Sequence, residues 1–157
     1  MSTKKGETMA KLEKRIVTQD FETVAVYSEN GSLLFEKGGN KNSVIFSDKE
    51  VSQMKGAVLT HNHPTGYSFS KDDIITLNTS GLSEIRAIGN EYLYTMKNTH
   101  PELKERTVDR IYDRARRKVL AEYTARQDFS SPMNFYHDVI VEFSEQTGLE
   151  YKRVKRK

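Results

Sequence analysis

The alternation of hydrophobic and polar positions predicts strands first along the chain. The segment ETVAVYS, from Glu22, alternates in this way, and SLLFEK repeats the pattern after the dipeptide Asn30-Gly31. Asn-Gly between two such runs strongly favours a tight β-hairpin turn. NSVIF, which follows Gly38-Gly39, predicts a third short strand. The region after residue 21 is therefore expected to open with a hairpin and one more strand.

Helices and strands then alternate. Ser47, with Glu50 three residues later, matches a capping box and predicts a short helix that ends near Gly56. The mostly apolar run AVLTHNH predicts a strand in the centre of a sheet. Ser70 is expected to cap a second helix that runs to about Gly81. EIRAI and EYLYTM then predict another hairpin, with its turn at residues 89 and 90.

Helical periodicity dominates the last third. A long amphipathic helix is predicted after Pro101, with an apolar stripe made of Val108, Ile111, Ala115, Val119 and Tyr123. Ser131-Pro132 begins a last helix that directs Val139, Ile140 and Phe143 inward and ends at Gly148. The tail EYKRVKRK is expected either to add an edge strand or to trail free.

This order of elements predicts an α/β fold in which helices sandwich a mixed β-sheet. We expect a flexible basic arm over residues 1–15, which forms at most one short helix, and a core over 16–100. Residues 101–148 would be a helical extension packed on the core, and 149–157 a basic tail. A domain cut from a longer protein is an alternative interpretation of the whole chain.

Composition restricts the chemistry. Cysteine is absent, which excludes disulfides, thiol nucleophiles and cysteine-ligated metals. No apolar run is long enough for a membrane span, and no signal peptide is evident, so a cytoplasmic protein without membrane contact is expected. The net charge of +3 is concentrated at residues 4–15, 106–118 and 152–157. Such runs are solvated faces or polyanion contacts.

The segment HNHPTGYSFSKDDI carries the candidate chemistry. His61 and His63 lie on the same face of the predicted strand, at its end. The following Pro and Gly allow the chain to fold back, and Asp73 lies in the first turn of the next helix. Two imidazoles and one carboxylate make the three-ligand form of a catalytic zinc site. The alternative is structural: Ser70 and Asp73 also match a capping box without a metal.

The same segment resembles the motif of the JAMM (MPN-plus) metalloproteases and the RadC-like proteins, in which HxHPxG leads to SxxD. The resemblance covers about residues 22–97 and implies a JAMM/MPN, cytidine-deaminase-like architecture. It also implies that His61, His63 and Asp73 bind Zn²⁺, and that Ser70 stabilises the oxyanion. Six residues separate His63 from Ser70, instead of the common seven. This spacing is similar to a branch in phage head-associated proteins and mobile-element polyproteins.

An upstream Glu is the general base in this family, and Glu22 precedes the hairpin at the matching place. Glu29 and Glu36 are competing candidates. Zinc nucleobase deaminases also act through zinc, water and Glu, but their signature requires cysteines that this chain lacks. His100 and His137 are expected to have surface or packing roles.

The resemblance implies a zinc-dependent metallopeptidase or isopeptidase that hydrolyses an amide bond in a protein or protein conjugate, in the cytoplasm of a bacterial or phage-infected cell. The alternative is a phage- or DNA-associated, RadC-like binding module with a vestigial metal site. The tail over residues 152–157 has no interleaved acids, whereas the basic helix carries Glu105, Asp109 and Asp113. Any weak nucleic-acid contact is therefore expected at the tail.

Overall fold

One mixed six-stranded sheet organises the chain. A computed structural model describes residues 6–39, 44–100 and 103–157. The strands are β1 (Thr23–Tyr27), β2 (Leu33–Gly38), β3 (Val58–Asn62), β4 (Glu84–Ile88), β5 (Tyr92–Lys97) and β6 (Glu150–Lys155). The helices in these ranges are α1 (Met9–Ile16), α2 (Asp48–Met54), α3 (Lys71–Thr79), α4 (Glu105–Arg126) and α5 (Pro132–Thr147).

The strand order β2-β1-β3-β4-β5-β6 places β3 in the interior of the sheet. β3 and β4 are parallel and α3 connects them, whereas the other four strand pairs are antiparallel. Both predicted hairpins are present, β1–β2 with Gly31 at a φ of 87° and β4–β5 around residues 89 and 90. The prediction of an α/β fold with a mixed sheet is confirmed.

Helices cover both faces of the sheet. On one face, Val24, Leu59 and Ile85 pack with buried residues of α2, α3, α4 and α5 in the main core. On the other face, Ala25, Tyr27 and Ile88 form a smaller core with Leu12 and Ile16 of α1. Apolar side chains removed from water on both sides hold the sheet between two helical layers.

Two expectations need correction. The described part of the 1–15 segment contains the one short helix allowed for it, since residues 9–16 form α1, but it is not a flexible arm, because Leu12 and Ile16 are fully buried. Val44–Phe46 is not a strand; Asn42 and Ser43 lie outside the described residues. Phe46 instead packs edge-on against Phe35 of β2, with 6.2 Å between ring centroids. Val44 and Phe46 pack against the main core, whereas Ile45 is exposed.

The C-terminal region follows the predicted pattern more closely. α4 begins at Glu105, a few residues after the expected start; Pro101 and Glu102 lie outside the described residues. Of the two alternatives for the tail, the edge strand is correct, because β6 pairs antiparallel with β5. In the described ranges, every helix is too short or too polar to span a membrane.

Candidate metal centre

β3 presents the two histidines to one face of the sheet. His61 lies opposite Val24 of β1 and Ala87 of β4, and His63 follows directly after the strand. The His63 amide N–H donates to the carbonyl of Ile88 at 2.9 Å, so the backbone stays extended past the end of β3. Because alternate residues of an extended chain share a face, the two imidazoles come together, with 4.5 Å between ring centroids.

The loop after His63 is held in a sharp turn. Gly66 has a φ of 77°, in the left-handed region that favours glycine, and its N–H donates to the His63 carbonyl at 2.8 Å. The Tyr94 hydroxyl donates to the Gly66 carbonyl, also at 2.8 Å. Phe69 is buried between the rings of Tyr94 and Tyr151. The chain therefore returns over the histidines before α3 begins.

The first turn of α3 supplies the carboxylate. Asp73 forms a reciprocal capping box with Ser70: the Asp73 N–H donates to Ser70 Oγ at 3.1 Å, and Asp73 Oδ2 accepts from the Ser70 N–H at 3.0 Å. The same carboxylate lies 3.2 Å from His61 Nε2 and 3.2 Å from His63 Nε2. Capping and clustering with the histidines are thus compatible: the capping box is present, and the binding of a metal stays a prediction.

Backbone carbonyls orient both imidazoles. His61 Nδ1 lies 2.6 Å from the Arg86 carbonyl, and His63 Nδ1 lies 2.8 Å from the Tyr67 carbonyl. A carbonyl only accepts, so each Nδ1 carries a proton; in the neutral imidazole Nε2 then has its lone pair towards Asp73, and in the protonated form Nε2 donates to that carboxylate. His61 Nε2 is buried without a hydrogen-bond partner. One ligand atom from each of the three residues lies within 4.8 Å of the others, an arrangement that could hold a metal ion.

Electrostatics couple the three groups. Burial alone would lower the pKa of His63, but the hydrogen bond and charge of Asp73 outweigh it and raise that pKa to about 8. Burial would raise the pKa of Asp73, but the two histidines lower it well below its usual value. The carboxylate is therefore ionised, and a positive charge between the imidazoles is favoured, whether a proton or a metal ion supplies it.

Glu22 lies in the same cleft. It directly precedes β1, on the sheet face that carries Val24 and the histidines, and it is partly buried. Burial is the largest cause that raises the pKa of Glu22; Asp73 adds to it, and the histidines oppose it. Neither competitor is placed there: Glu29 lies in the β1–β2 turn, and Glu36 forms an ion pair with Arg15 at 2.7 Å.

Ser70 lines the cleft and is exposed. Its oxygen accepts from the Asp73 N–H, which leaves the hydroxyl proton free to be donated. The cleft has a volume of about 450 Å³. Its floor is apolar, formed by Val24, Leu59 and Ile85, and Tyr67 and Tyr136 stack at its rim with 5.2 Å between ring centroids.

The remaining histidines do not join this cluster. His137 Nδ1 lies 2.8 Å from the Tyr151 hydroxyl, and burial together with Arg153 lowers the pKa of His137 to about 4. His100 packs near Gly148. His100 is exposed, and the packing of His137 agrees with the surface or packing role expected of it.

The sequence did not indicate several parts of the site. The orienting groups of Arg86 and Tyr67 are backbone carbonyls, which any residue type offers. The rim tyrosine of α5 is distant along the chain from the motif. Asn62 is different, because the sequence did carry a signal for it. A polar residue between two histidines of a central strand is typical of a buried side chain that makes hydrogen bonds.

No family model, curated protein or solved structure matches the chain. The fold and the site together define an α/β protein with a candidate metal-binding group formed by His61, His63 and Asp73. Its function is argued below from the geometry of this group and the cleft around it.

Proposed function

We propose that the chain is a JAMM-type zinc metallohydrolase, a peptidase or isopeptidase with the corresponding JAMM/MPN architecture. The observation that carries this proposal is the convergence of His61 Nε2, His63 Nε2 and the Asp73 carboxylate in a cleft that also contains Glu22. Burial raises the pKa of Glu22, and an acid with a raised pKa beside the cluster is typical of a catalytic site rather than of a purely structural one.

The donor set suits zinc. Two imidazole nitrogens and one carboxylate are ligands that zinc prefers, and three protein ligands leave one coordination position open in catalytic sites. The buried His61 Nε2, which has no hydrogen-bond donor within reach, supports a metal ion as its partner. A zinc ion held there would polarise the scissile carbonyl and lower the pKa of a coordinated water to about 7.

The side chains of the chain provide the rest of the reaction. Glu22 accepts the proton of the attacking water and delivers it to the leaving amine, a role favoured by its raised pKa. The free hydroxyl proton of Ser70 is available to the oxyanion that develops on the substrate. Asp73 remains ionised through its contacts with both histidines.

The proposed substrate is a protein or a protein conjugate. An open cleft with an apolar floor and an aromatic rim accepts a polypeptide segment. Preference for an isopeptide bond, and action in the cytoplasm of a bacterial or phage-infected cell, are inferred from the resemblance of the motif alone.

The test compares Glu22→Gln with Glu29→Gln. Both variants should bind about one zinc per chain, but Glu22→Gln should hydrolyse a cleavable conjugate at least about 100-fold more slowly, because the general base is lost. Glu29→Gln, in the β1–β2 turn, should keep full activity. Equal activity of the two variants would refute the assignment of Glu22. If the zinc-loaded wild type does not hydrolyse the conjugate, the proposed hydrolase function is wrong.

A specific observation favours a second candidate, a polyanion-binding module. Four arginines are exposed at helical spacing on one face of α4, opposite its buried stripe: Arg106, Arg110, Arg114 and Arg117. Two of the three acids expected to interleave with them, Asp109 and Asp113, form ion pairs with Lys71 at 2.6 and 2.8 Å. A row of one sign fits phosphates.

Titration with duplex DNA at several salt concentrations tests this second candidate. If the row contacts four phosphates, the logarithm of the binding constant should fall with the logarithm of salt concentration with a slope of roughly −3 to −4. Arg110→Gln with Arg114→Gln should reduce that slope by about two. The matched control is Lys11→Gln with Lys14→Gln on α1, where both lysines are exposed. Equal slopes for both double variants would exclude the arginine row.

A further inference from the structure

Asn62 lies between the two candidate ligands on β3. Its side chain is fully buried and belongs to the sheet face opposite the histidines. All of its hydrogen bonds go to the backbone that precedes and enters β1. Oδ1 accepts from the Thr23 N–H at 2.7 Å, and Nδ2 donates to the Phe21 carbonyl at 2.8 Å and to the Gln19 carbonyl at 3.4 Å.

The two shorter hydrogen bonds of Asn62 go to Phe21 and Thr23, the residues on either side of Glu22. The antiparallel pairing of β1 with β3 ends at Val24 and His61, so residues 21–23 have no ladder bonds to β3. Instead, the side-chain amide of Asn62, on β3, makes hydrogen bonds to the backbone of these two neighbours. From the other side, the Gly39 N–H donates to the Glu22 carbonyl at 2.9 Å. The backbone at Glu22 is thus held from β2 and from β3.

We propose that Asn62 is a positioning residue, which holds the Glu22 carboxylate at the metal centre by clamping the backbone of its two neighbours. This inference rests on the proposed function, in which Glu22 is the general base. Successive residues of an extended chain point to opposite faces. A clamp on residues 21 and 23 from the far face therefore directs Glu22 into the cleft.

The clamp requires an amide of this length. One atom must accept from an N–H and another must donate to a carbonyl at the same time, which Asn does and Asp does not. A carboxylate at this place would face the Phe21 carbonyl, since both groups are acceptors. Alanine would leave the buried Thr23 N–H without a partner.

Asn62→Ala and Asn62→Asp test the proposal in the zinc-loaded full chain. Both should keep about one zinc per chain and a similar KM but lose about 100-fold in kcat, because a small displacement of a reacting group is costly. The matched control is Asn98→Ala, which also removes an amide that donates to two backbone carbonyls, those of Leu77 and Leu82. It should leave kcat unchanged. Loss of zinc in the Asn62 variants would show that Asn62 supports the ligands instead, and would overturn the proposal.

A double-variant cycle separates positioning from general stability. If Asn62 acts through Glu22, Asn62→Ala should cause no further loss in the Glu22→Gln background. A structural role would lower the rate by the same factor in both backgrounds, and that result would also overturn the proposal.

Amide hydrogen exchange gives a readout that needs no activity. In Asn62→Ala, the Thr23 amide should exchange at least about tenfold faster, whereas the His63 amide, bonded to Ile88, should be unchanged. A crystal structure of the same variant should show Glu22 displaced. An undisplaced Glu22 with a protected Thr23 amide would refute the clamp. If the wild type proves inactive, the proposed hydrolase fails, but these two measurements still decide the clamp.

Discussion

Asp73 performs two functions with one carboxylate. One of its oxygens accepts from the Ser70 N–H at the start of α3, and its two oxygens contact the two imidazoles. An acid in the first turn also favours the helix electrostatically. The motif therefore makes the same residue a capping group and a candidate ligand, and mutation can separate the two.

Asp73→Asn should keep the helix cap and lose the metal. The amide oxygen still accepts from the Ser70 N–H, but the charge that favours a cation between the imidazoles is removed. Ser70→Ala is the converse: we expect a loss of about 1 kcal/mol in the free energy of unfolding with zinc retained. Elemental analysis and urea unfolding check both. Full zinc occupancy in Asp73→Asn would contradict the ligand assignment.

The stability of the metal-free protein should depend on pH through His63 and Asp73. Since folding raises the pKa of His63 from 6.5 to about 8, its stabilisation is complete below pH 6.5 and is lost as pH rises through about 8. The pKa of Asp73 is lowered, so its contribution is present above pH 3.8 and is lost in acid.

Urea unfolding in a chelator should therefore show a free energy of unfolding roughly 2 kcal/mol higher at pH 6 than at pH 9 from this pair. Asp73→Asn should remove most of that difference. With zinc bound, the trend should reverse, because the metal requires neutral imidazoles and competes with protons. A chelated wild type that is equally stable at both pH values would contradict the assigned coupling.

At the scale of elements, the site depends on how closely two turns approach. A Cβ added to Gly89, in the β4–β5 turn, would lie 2.8 Å from the Cα of Gly66 in the loop after His63. Backbone atoms cannot give way as the end of a flexible side chain does. The two turns therefore pack backbone to backbone, and the position of the ligand-bearing loop relies on a glycine in another hairpin.

Gly89→Ala should disturb both the fold and the metal site. We expect a loss of about 1–3 kcal/mol in the free energy of unfolding from overpacking, together with weaker zinc binding. Denaturant unfolding and zinc titration measure the two effects. Gly6→Ala serves as the control, since no atom lies within 4 Å of an added Cβ there. Unchanged zinc affinity in Gly89→Ala would show that the loop adapts without consequence for the ligands.

Local signals predicted most of these elements correctly. Ser47 and Ser70 both form the expected capping boxes, and Gly148 ends α5 with a φ of 80°. Such signals act between residues close in sequence, so the sequence displays them directly. The burial of α1 was not predicted, because its two buried residues, Leu12 and Ile16, stand in a basic stretch that resembles a solvated arm. Its burial depends on a sheet face that forms elsewhere.

For the whole molecule, the C-terminal strand closes the structure around the site. The Tyr151 hydroxyl on β6 lies 2.7 Å from Ser68 Oγ in the loop before α3, and 2.8 Å from His137 on α5. Arg153 lies over the Tyr92 ring, and Arg156 donates to the carbonyls of Gly89 and Asn90. Arg153 and Arg156, two of the basic residues of the tail, therefore make contacts within the protein.

Deletion of residues 152–157 should destabilise the protein. It removes most of the β5–β6 pairing and the Arg156 contacts, so the free energy of unfolding should fall by at least about 2 kcal/mol. A tail that trailed free, the other alternative of the sequence analysis, would have been dispensable for the fold. Substitution of the exposed Lys152, Lys155 and Lys157 by Gln is the control, because it removes charge and keeps the strand. Equal unfolding midpoints for the deletion and the wild type would contradict this prediction.

The sequence by itself determined the local elements and the candidate ligands. Hairpin turns, capping boxes and the alternation of β3 depend on neighbours, and the HNHPTG segment with Asp73 keeps three candidate ligands within one short stretch of chain. The tertiary structure decided what depends on distant contacts. It placed Glu22 rather than Glu29 or Glu36 in the cleft, and it brought the Arg86 carbonyl to His61. It turned Asp109 and Asp113 of α4 towards Lys71, because strand pairing and core packing, which no local pattern encodes, set those positions.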